Sequence, residues 1–178
     1  MKILIFIPHM GLGGVERSFI NLSKEFRSNG HDVKFVSLNN IKNTYNEDIK
    51  LIKLNSKRTV LSINKLSNTF NDENPDLIIS AQYYANIIAI ISSKFSKNKG
   101  KIIISERNHL SSELKKLNYF KRLIISSLVK FFYGRADLIY GNSDEVCNDL
   151  KKNFNLKNKI KKILNASYTE NINKLSKE

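Results

Sequence analysis

The run GLGGVER, residues 11–17, is the densest group of chemically capable residues in the chain. Gly11, Gly13 and Gly14 give permissive backbone where a Cβ would block close approach. A helix predicted from Val15 turns its unpaired N–H groups and the positive end of its dipole to the same spot. Strand, glycine turn and helix start together make a seat for a phosphate or another anion. A second group, Glu106, Arg107, Asn108 and His109, stands at the end of a later predicted strand, on the carboxyl edge where α/β sheets hold ligands. Arg107 can pair with a phosphate bidentately, and His109 can hydrogen-bond a reacting group. The plain alternatives are a ligand-free β–α turn and a solvated loop histidine.

These residues need elements to position them, and the pattern supplies an alternation. Residues 2–7 are too apolar for a half-exposed strand and read as one buried on both faces of a parallel sheet. Further strands are predicted at 33–38, 50–54, 77–81, 101–105, 137–140 and 160–164. Helices are predicted near 15–29, 61–74, 83–95, 113–133 and 144–154, with Pro75 and Gly100 as punctuation. The fold class is therefore α/β: a doubly wound, mostly parallel Rossmann-like sheet of about seven strands with helices on both faces.

Length and composition set the limits. The 178 residues suit one domain with a substantial core, and 41% hydrophobic with 26% charged residues is a soluble, globular composition. A single cysteine, Cys147, excludes a disulfide framework and a Cys-rich zinc site; it reads as a packing residue. No cofactor and no metal are expected. Residues 3–7 are too short for a secretion signal and no apolar run can cross a bilayer, so the chain reads as cytoplasmic.

The formal charge of +14 implies attraction to polyanions. Nucleic acid is not expected as a partner, since no RRM, KH or zinc-finger signature and no Arg-rich stripe accompanies the charge. Two stretches, 57–70 and 113–133, place basic residues beside apolar stripes at helical spacing. Such helices either cover a sheet or lie on an anionic membrane surface. In the second stretch Leu117, Leu123, Ile124, Leu128 and Phe131 are expected in the core, leaving Lys115, Lys116, Lys121 and Arg122 to face a membrane.

A dinucleotide is a poor fit for the glycine turn. Glu16 stands where the third glycine of G-x-G-x-x-G belongs, and Asn39 and Asn40 follow the second strand in place of an acidic ribose ligand. The ordered set Gly13, Gly14, Glu16, Arg17, Gly30, His31 and Val33 instead resembles the first β–α–β unit of family-4-type glycosyltransferases, retaining sugar-nucleotide enzymes of the GT-B fold. The resemblance continues through NPDLIIS (74–80), KIIISERNH (101–109), RADLI (135–139), Asn142-Ser143 and KIKKILN (159–165).

The resemblance implies an N-terminal, acceptor-side domain over residues 1–165. Residues 166–178 would start the interdomain linker, the second domain being absent from the chain. It implies that the Gly13 and Gly14 amides meet the pyrophosphate of a nucleotide-sugar donor, that Glu16, Glu106, Arg107 and Asn108 bind substrate or donor phosphate, and that His109 serves the reacting centre. The expected partners are a nucleotide-sugar donor, held by a missing or separate domain, and a glycan or polyprenyl-linked acceptor. An anionic membrane surface is a further candidate. The chain is expected to be inactive alone. The alternative is a non-catalytic acceptor- or anion-binding module that docks to a separate donor-binding domain.

Overall fold

The computed structural model describes residues 1–11, 13–38, 49–156 and 159–164. Its strands are β1 (Lys2–Phe6), β2 (Asp32–Ser37), β3 (Leu51–Lys53), β4 (Leu77–Ala81), β5 (Lys101–Glu106), β6 (Leu138–Gly141) and β7 (Ile160–Lys162). They pair in the order β3-β2-β1-β4-β5-β6-β7, every pair parallel. The helices are α1 (Gly14–Ser28), α2 (Ile63–Glu73), α3 (Tyr83–Phe95), α4 (Leu110–Lys115), α5 (Tyr119–Tyr133) and α6 (Asp144–Phe154), with a 3₁₀ turn over Thr59–Ser62 before α2. The doubly wound reading of the sequence is thus the observed architecture. The stretch 39–48 and the tail after 164, where the sequence suggested an interdomain linker, lie outside the described residues.

Strand period sorts the core onto two faces. Leu4 and Phe6 point to one side with Ile78, Ile102, Ile104 and Ile139, and there α2, α3, α4, α5 and α6 all contribute buried apolar residues. Ile3, Ile5 and Ile7 point to the other with Val33, Phe35 and Ile79, against Phe19 and Ile20 of α1. The packing is lopsided: among the described residues five helices share one face.

Two helices differ from expectation. The single helix predicted over 113–133 is two, α4 and α5, because Asn118 breaks the run and caps α5, accepting from the Lys121 amide at 2.9 Å. The break resets the helical phase. Ile125, Val129, Phe132 and Tyr133 turn inward, while Leu123, Ile124 and Phe131, expected in the core, are exposed; Leu117 and Leu128 are half-buried. At α6, Ser143 is the N-cap, its Oγ accepting from the Val146 amide at 3.3 Å, and Cys147 is buried as a packing residue.

Candidate functional site

Strand order reverses between β1 and β4, so the loops leaving their carboxyl ends diverge and open a crevice. The glycine turn leaves β1, Gln82 leaves β4, and Arg107–His109 leave β5; the candidate residues therefore meet at one edge.

At the glycine turn, Gly13 is the N-cap of α1 and its carbonyl accepts from the Arg17 amide at 3.1 Å. A Cβ on Gly13 would lie 2.4 Å from Glu16 Oε2, whereas one on Gly14 would meet nothing within 4 Å. Only the first of these glycines is crowded, and by the end of the Glu16 side chain rather than by backbone. Glu16 is buried and folded back against the turn, so a carboxylate already lies at the start of α1.

At the end of β4, Gln82 has φ +76°, a conformation that side chains rarely adopt. It is held there from three sides. Its amide donates to the Ser105 carbonyl at 3.3 Å, its carbonyl accepts from the Asn86 amide at 2.9 Å, and its Oε1 accepts from the Tyr84 hydroxyl. Strain so held is typical of functional sites. Tyr83 and Tyr84 stack edge-on, ring centroids 5.4 Å apart. Burial raises the pKa of both phenols; Glu113 and Glu106 add to the rise at Tyr83, and Glu16 to that at Tyr84.

Beneath them lies a buried polar network. Glu106 Oε1 accepts from Asn86 Nδ2 at 2.8 Å and from the Tyr133 hydroxyl. Asn86 Nδ2 also donates to the Ser105 carbonyl at 3.0 Å, and its Oδ1 accepts from Ser80 Oγ at 2.7 Å. Burial pushes the Glu106 carboxyl up to about 8, outweighing the two hydrogen bonds that favour its ionised form. The same burial raises Tyr133 well above the ordinary phenol range.

Above the network opens a cleft of about 360 Å³, walled by Gln82, Tyr83 and Tyr84 on one side and Glu106, Arg107 and Asn108 on another. Val15, Glu113, Lys116 and Leu117 complete it. Of the residues singled out from sequence, the cleft thus unites Glu106, Arg107 and Asn108. Arg107 lies over the Phe19 ring, 4.8 Å from its centroid, and donates from Nε to Ser105 Oγ at 3.3 Å. Asn108 ties the loop to α4 through Nδ2, which donates to Glu113 Oε1 at 2.7 Å. Glu16 reaches the same neighbourhood electrostatically, through Tyr84.

His109 stands apart. It is exposed at the N-cap of α4, where its charge is felt by Glu145 and Asp149 of α6, and it is not among the cleft-lining residues. His9 is exposed, and His31 packs near Phe26 at the far end of α1. Among the described residues no three His, Cys, Asp or Glu side chains gather as a metal site.

Sequence reasoning missed Gln82, Tyr83, Tyr84, Asn86, Glu113, Lys116 and Tyr133. Asn86 had a usable signal: one amide inside YYANIIAII, a helix too apolar to be anything but buried, must find partners. The backbone of Gln82 has no signature in its residue type.

The Glycosyltransferase Family 4 model matches residues 12–170. No curated protein matches the sequence. A solved glycosyltransferase from Rickettsia africae ESF-5 is 19% identical with a TM-score of 0.65, covering 99% of this chain and 48% of its own. The apo lipopolysaccharide outer core galactosyltransferase WaaB is 17% identical with a TM-score of 0.60, the match covering 86% of this chain and 42% of that one. An alpha-glucosyltransferase in complex with UDP and a 13-mer DNA containing a HMU base is 19% identical with a TM-score of 0.58, with 92% and 42% covered. At these identities the likeness is one of fold, and the chain spans less than half the length of these structures. A family match over most of the sequence, on an all-parallel sheet with a cleft at its carboxyl edge, has one conclusion: the chain belongs to Glycosyltransferase Family 4.

Proposed function

We propose that this chain is the acceptor-side half of a retaining glycosyltransferase, one that moves a sugar from a nucleotide-sugar donor to a glycan or lipid-linked acceptor. The observation that carries the reading is the cleft between β4 and β5, set beside the glycine turn of β1 in a chain of this family. Tyr83 and Tyr84 offer aromatic walls to a sugar, while Arg107 and Lys116 offer charge to a phosphate. The nucleotide-sugar side belongs to a second domain that closes over the carboxyl edge, where the Gly13 and Gly14 amides meet the donor pyrophosphate. His109 stands outside the cleft at the start of α4, so a role for it at the reacting centre is proposed only with groups carried by the donor half. Half a cleft cannot orient two substrates. The purified chain is therefore expected to turn over no nucleotide sugar above a hydrolysis blank, and to support transfer once a donor-binding segment is added. Turnover by the chain alone, or no transfer in the reconstituted mixture, counts against the proposal.

We further propose that the reaction runs at the cytoplasmic face of an anionic membrane. Helix α5 presents Tyr119, Phe120, Leu123 and Ile124 to solvent, Phe120 at 76% exposure, with Lys121 and Arg122 among them. No helix among the described residues is long and apolar enough to cross a membrane. Lying on the surface is a different matter: each basic residue near an anionic leaflet contributes roughly 1 kcal/mol. Lys116 and Leu117 line the cleft and lead directly into α5, so a head group in the cleft would have its lipid tail along the helix. Equal co-sedimentation with neutral and anionic vesicles at low salt would remove the membrane from the proposal.

A further inference from the structure

We infer that Glu16 is the resident anion of the glycine turn: its carboxylate lies against Gly13 at the start of α1, and a diphosphate takes that place by turning it out. The inference rests on the proposed meeting of the Gly13 and Gly14 amides with a donor pyrophosphate, and it adds the protein's own group that guards the seat.

The turn sets the geometry. Gly13 is the N-cap of α1 and lends it no side chain, and the helical ladder begins with the Arg17 amide, which donates to the Gly13 carbonyl at 3.1 Å. The amides of Gly14, Val15 and Glu16 precede that bond, so any acceptor for them comes from outside the ladder. A Cβ on Gly13 would have Glu16 Cδ at 3.3 Å and Oε1 at 3.7 Å, with Oε2 nearer still. The carboxylate therefore fills the volume that the missing side chain leaves. Glu16 is only 8% exposed, and among the described residues no group donates a hydrogen bond to it or pairs with its charge.

A carboxylate buried to that degree without a donor is costly. What holds it is the positive end of the α1 dipole, the same field that would hold a phosphate. Two anions at one helix end repel each other, so one must leave for the other to enter. Turning Glu16 out is a small motion. The crowding at Gly13 is by the end of a flexible side chain and not by backbone, while a Cβ on Gly11 or Gly14 would meet nothing within 4 Å. The incoming group has to bring more charge and more acceptor oxygens than the carboxylate it replaces. A diphosphate brings both, and a neutral sugar hydroxyl brings neither.

The test is calorimetric titration of the whole chain with inorganic pyrophosphate at fixed pH and ionic strength. E16Q keeps the shape of the side chain and loses its charge, so it is expected to bind pyrophosphate about tenfold more tightly than the wild type. E25Q removes the same charge from an exposed site near the far end of α1 and is expected to bind as the wild type does. An unchanged or weakened affinity in E16Q overturns the inference, as does an equal gain in E25Q or no binding by any of the three. A glutamate that only stabilises the helix start would change the melting temperature of E16Q and leave pyrophosphate affinity where it was. Should E16Q fail to fold, ¹³C and ¹⁵N NMR of the wild type decides: pyrophosphate is expected to shift the Glu16 carboxyl signal together with the Gly13 and Gly14 amides, and amides that move past a stationary carboxyl overturn the inference. A nucleoside diphosphate compared with a short isoprenyl diphosphate separates a donor source from a lipid one; a gain in E16Q with either supports the shared chemistry, and a gain with neither overturns it. Since none of these measurements involves sugar transfer, failure here is distinct from failure of the half-enzyme reading.

Discussion

Replacing Glu106 by glutamine should make this protein more stable at pH 8, with the advantage vanishing towards pH 5. In the unfolded chain the carboxyl ionises near 4.5, whereas in the fold it keeps its proton up to about 8. Between those values the native state binds the extra proton. The stability that proton provides is therefore full below pH 4.5 and lost as pH rises through about 8. A span of some 3.5 pH units at 1.36 kcal/mol per unit bounds the loss at roughly 5 kcal/mol. Local relaxation and water entry reduce such penalties, so about 2–3 kcal/mol is expected. The side-chain amide of the E106Q variant could still accept from Asn86 and Tyr133 through its carbonyl oxygen and has no charge to lose. The chain lacks tryptophan, so urea unfolding is best followed by circular dichroism, at half-unit steps from pH 5 to 8.5. Other titrating groups cancel in the difference between the two proteins. A difference that stays flat with pH, or a variant less stable at pH 8, would refute the argument for a buried, protonated Glu106.

Y133F should cost about 1–2 kcal/mol and move the Glu106 titration upward, because the lost hydroxyl donates to Oε1 and favours the ionised form; ¹³C NMR reads the second effect. G14A should be neutral or stabilising by up to about 1 kcal/mol, while G13A should destabilise until Glu16 is also shortened, a non-additivity that a double-mutant cycle by urea unfolding measures. Q82G should relieve positive-φ strain of about 1 kcal/mol or more, less the bond from Tyr84, and so raise the melting temperature measured by circular dichroism. F120E combined with I124E should leave stability within about 0.5 kcal/mol and abolish binding to anionic vesicles, since both side chains are exposed.

The sheet was legible because each strand is short, apolar and bounded by a turn. KILIF and LIISA leave little room for another reading, and the β/α alternation then dictates parallel pairing. Helix α5 was misread for a physical reason. Its sequence is apolar nearly all round, so periodicity cannot say which stripe is inside; the cap at Asn118 decides, and it selects Ile125, Val129 and Tyr133. The glycine turn joins β1 to α1 as the sequence reading placed it, but the direction of the Glu16 side chain was not legible. Glu16 folds back into the space that Gly13 leaves, which depends on a rotamer rather than on a residue type. Arg107 and Asn108 fell in the cleft because they follow a strand end; His109, two residues beyond Arg107, begins α4 and turns towards α6.

The placement of polar groups distinguishes a site from ordinary packing. Ser80, Asn86, Ser105, Glu106 and Tyr133 come from β4, α3, β5 and α5, yet all lie buried in one cluster at the carboxyl end of the sheet. The middle of the same strands is Ile, and the layer below needs no polar atom to hold together. A cluster of this kind stabilises little compared with apolar side chains of equal volume, and leaving one member unpaired is costly. If it served cohesion alone, it would be expected anywhere in the core. Instead it lies beneath the cleft, touches the backbone of the strained Gln82 loop through Ser105, and includes Glu106, which lines the cleft. Rigidity at that point fixes Gln82, Arg107 and Glu106 relative to one another, as the acceptor site proposed for this cleft would require.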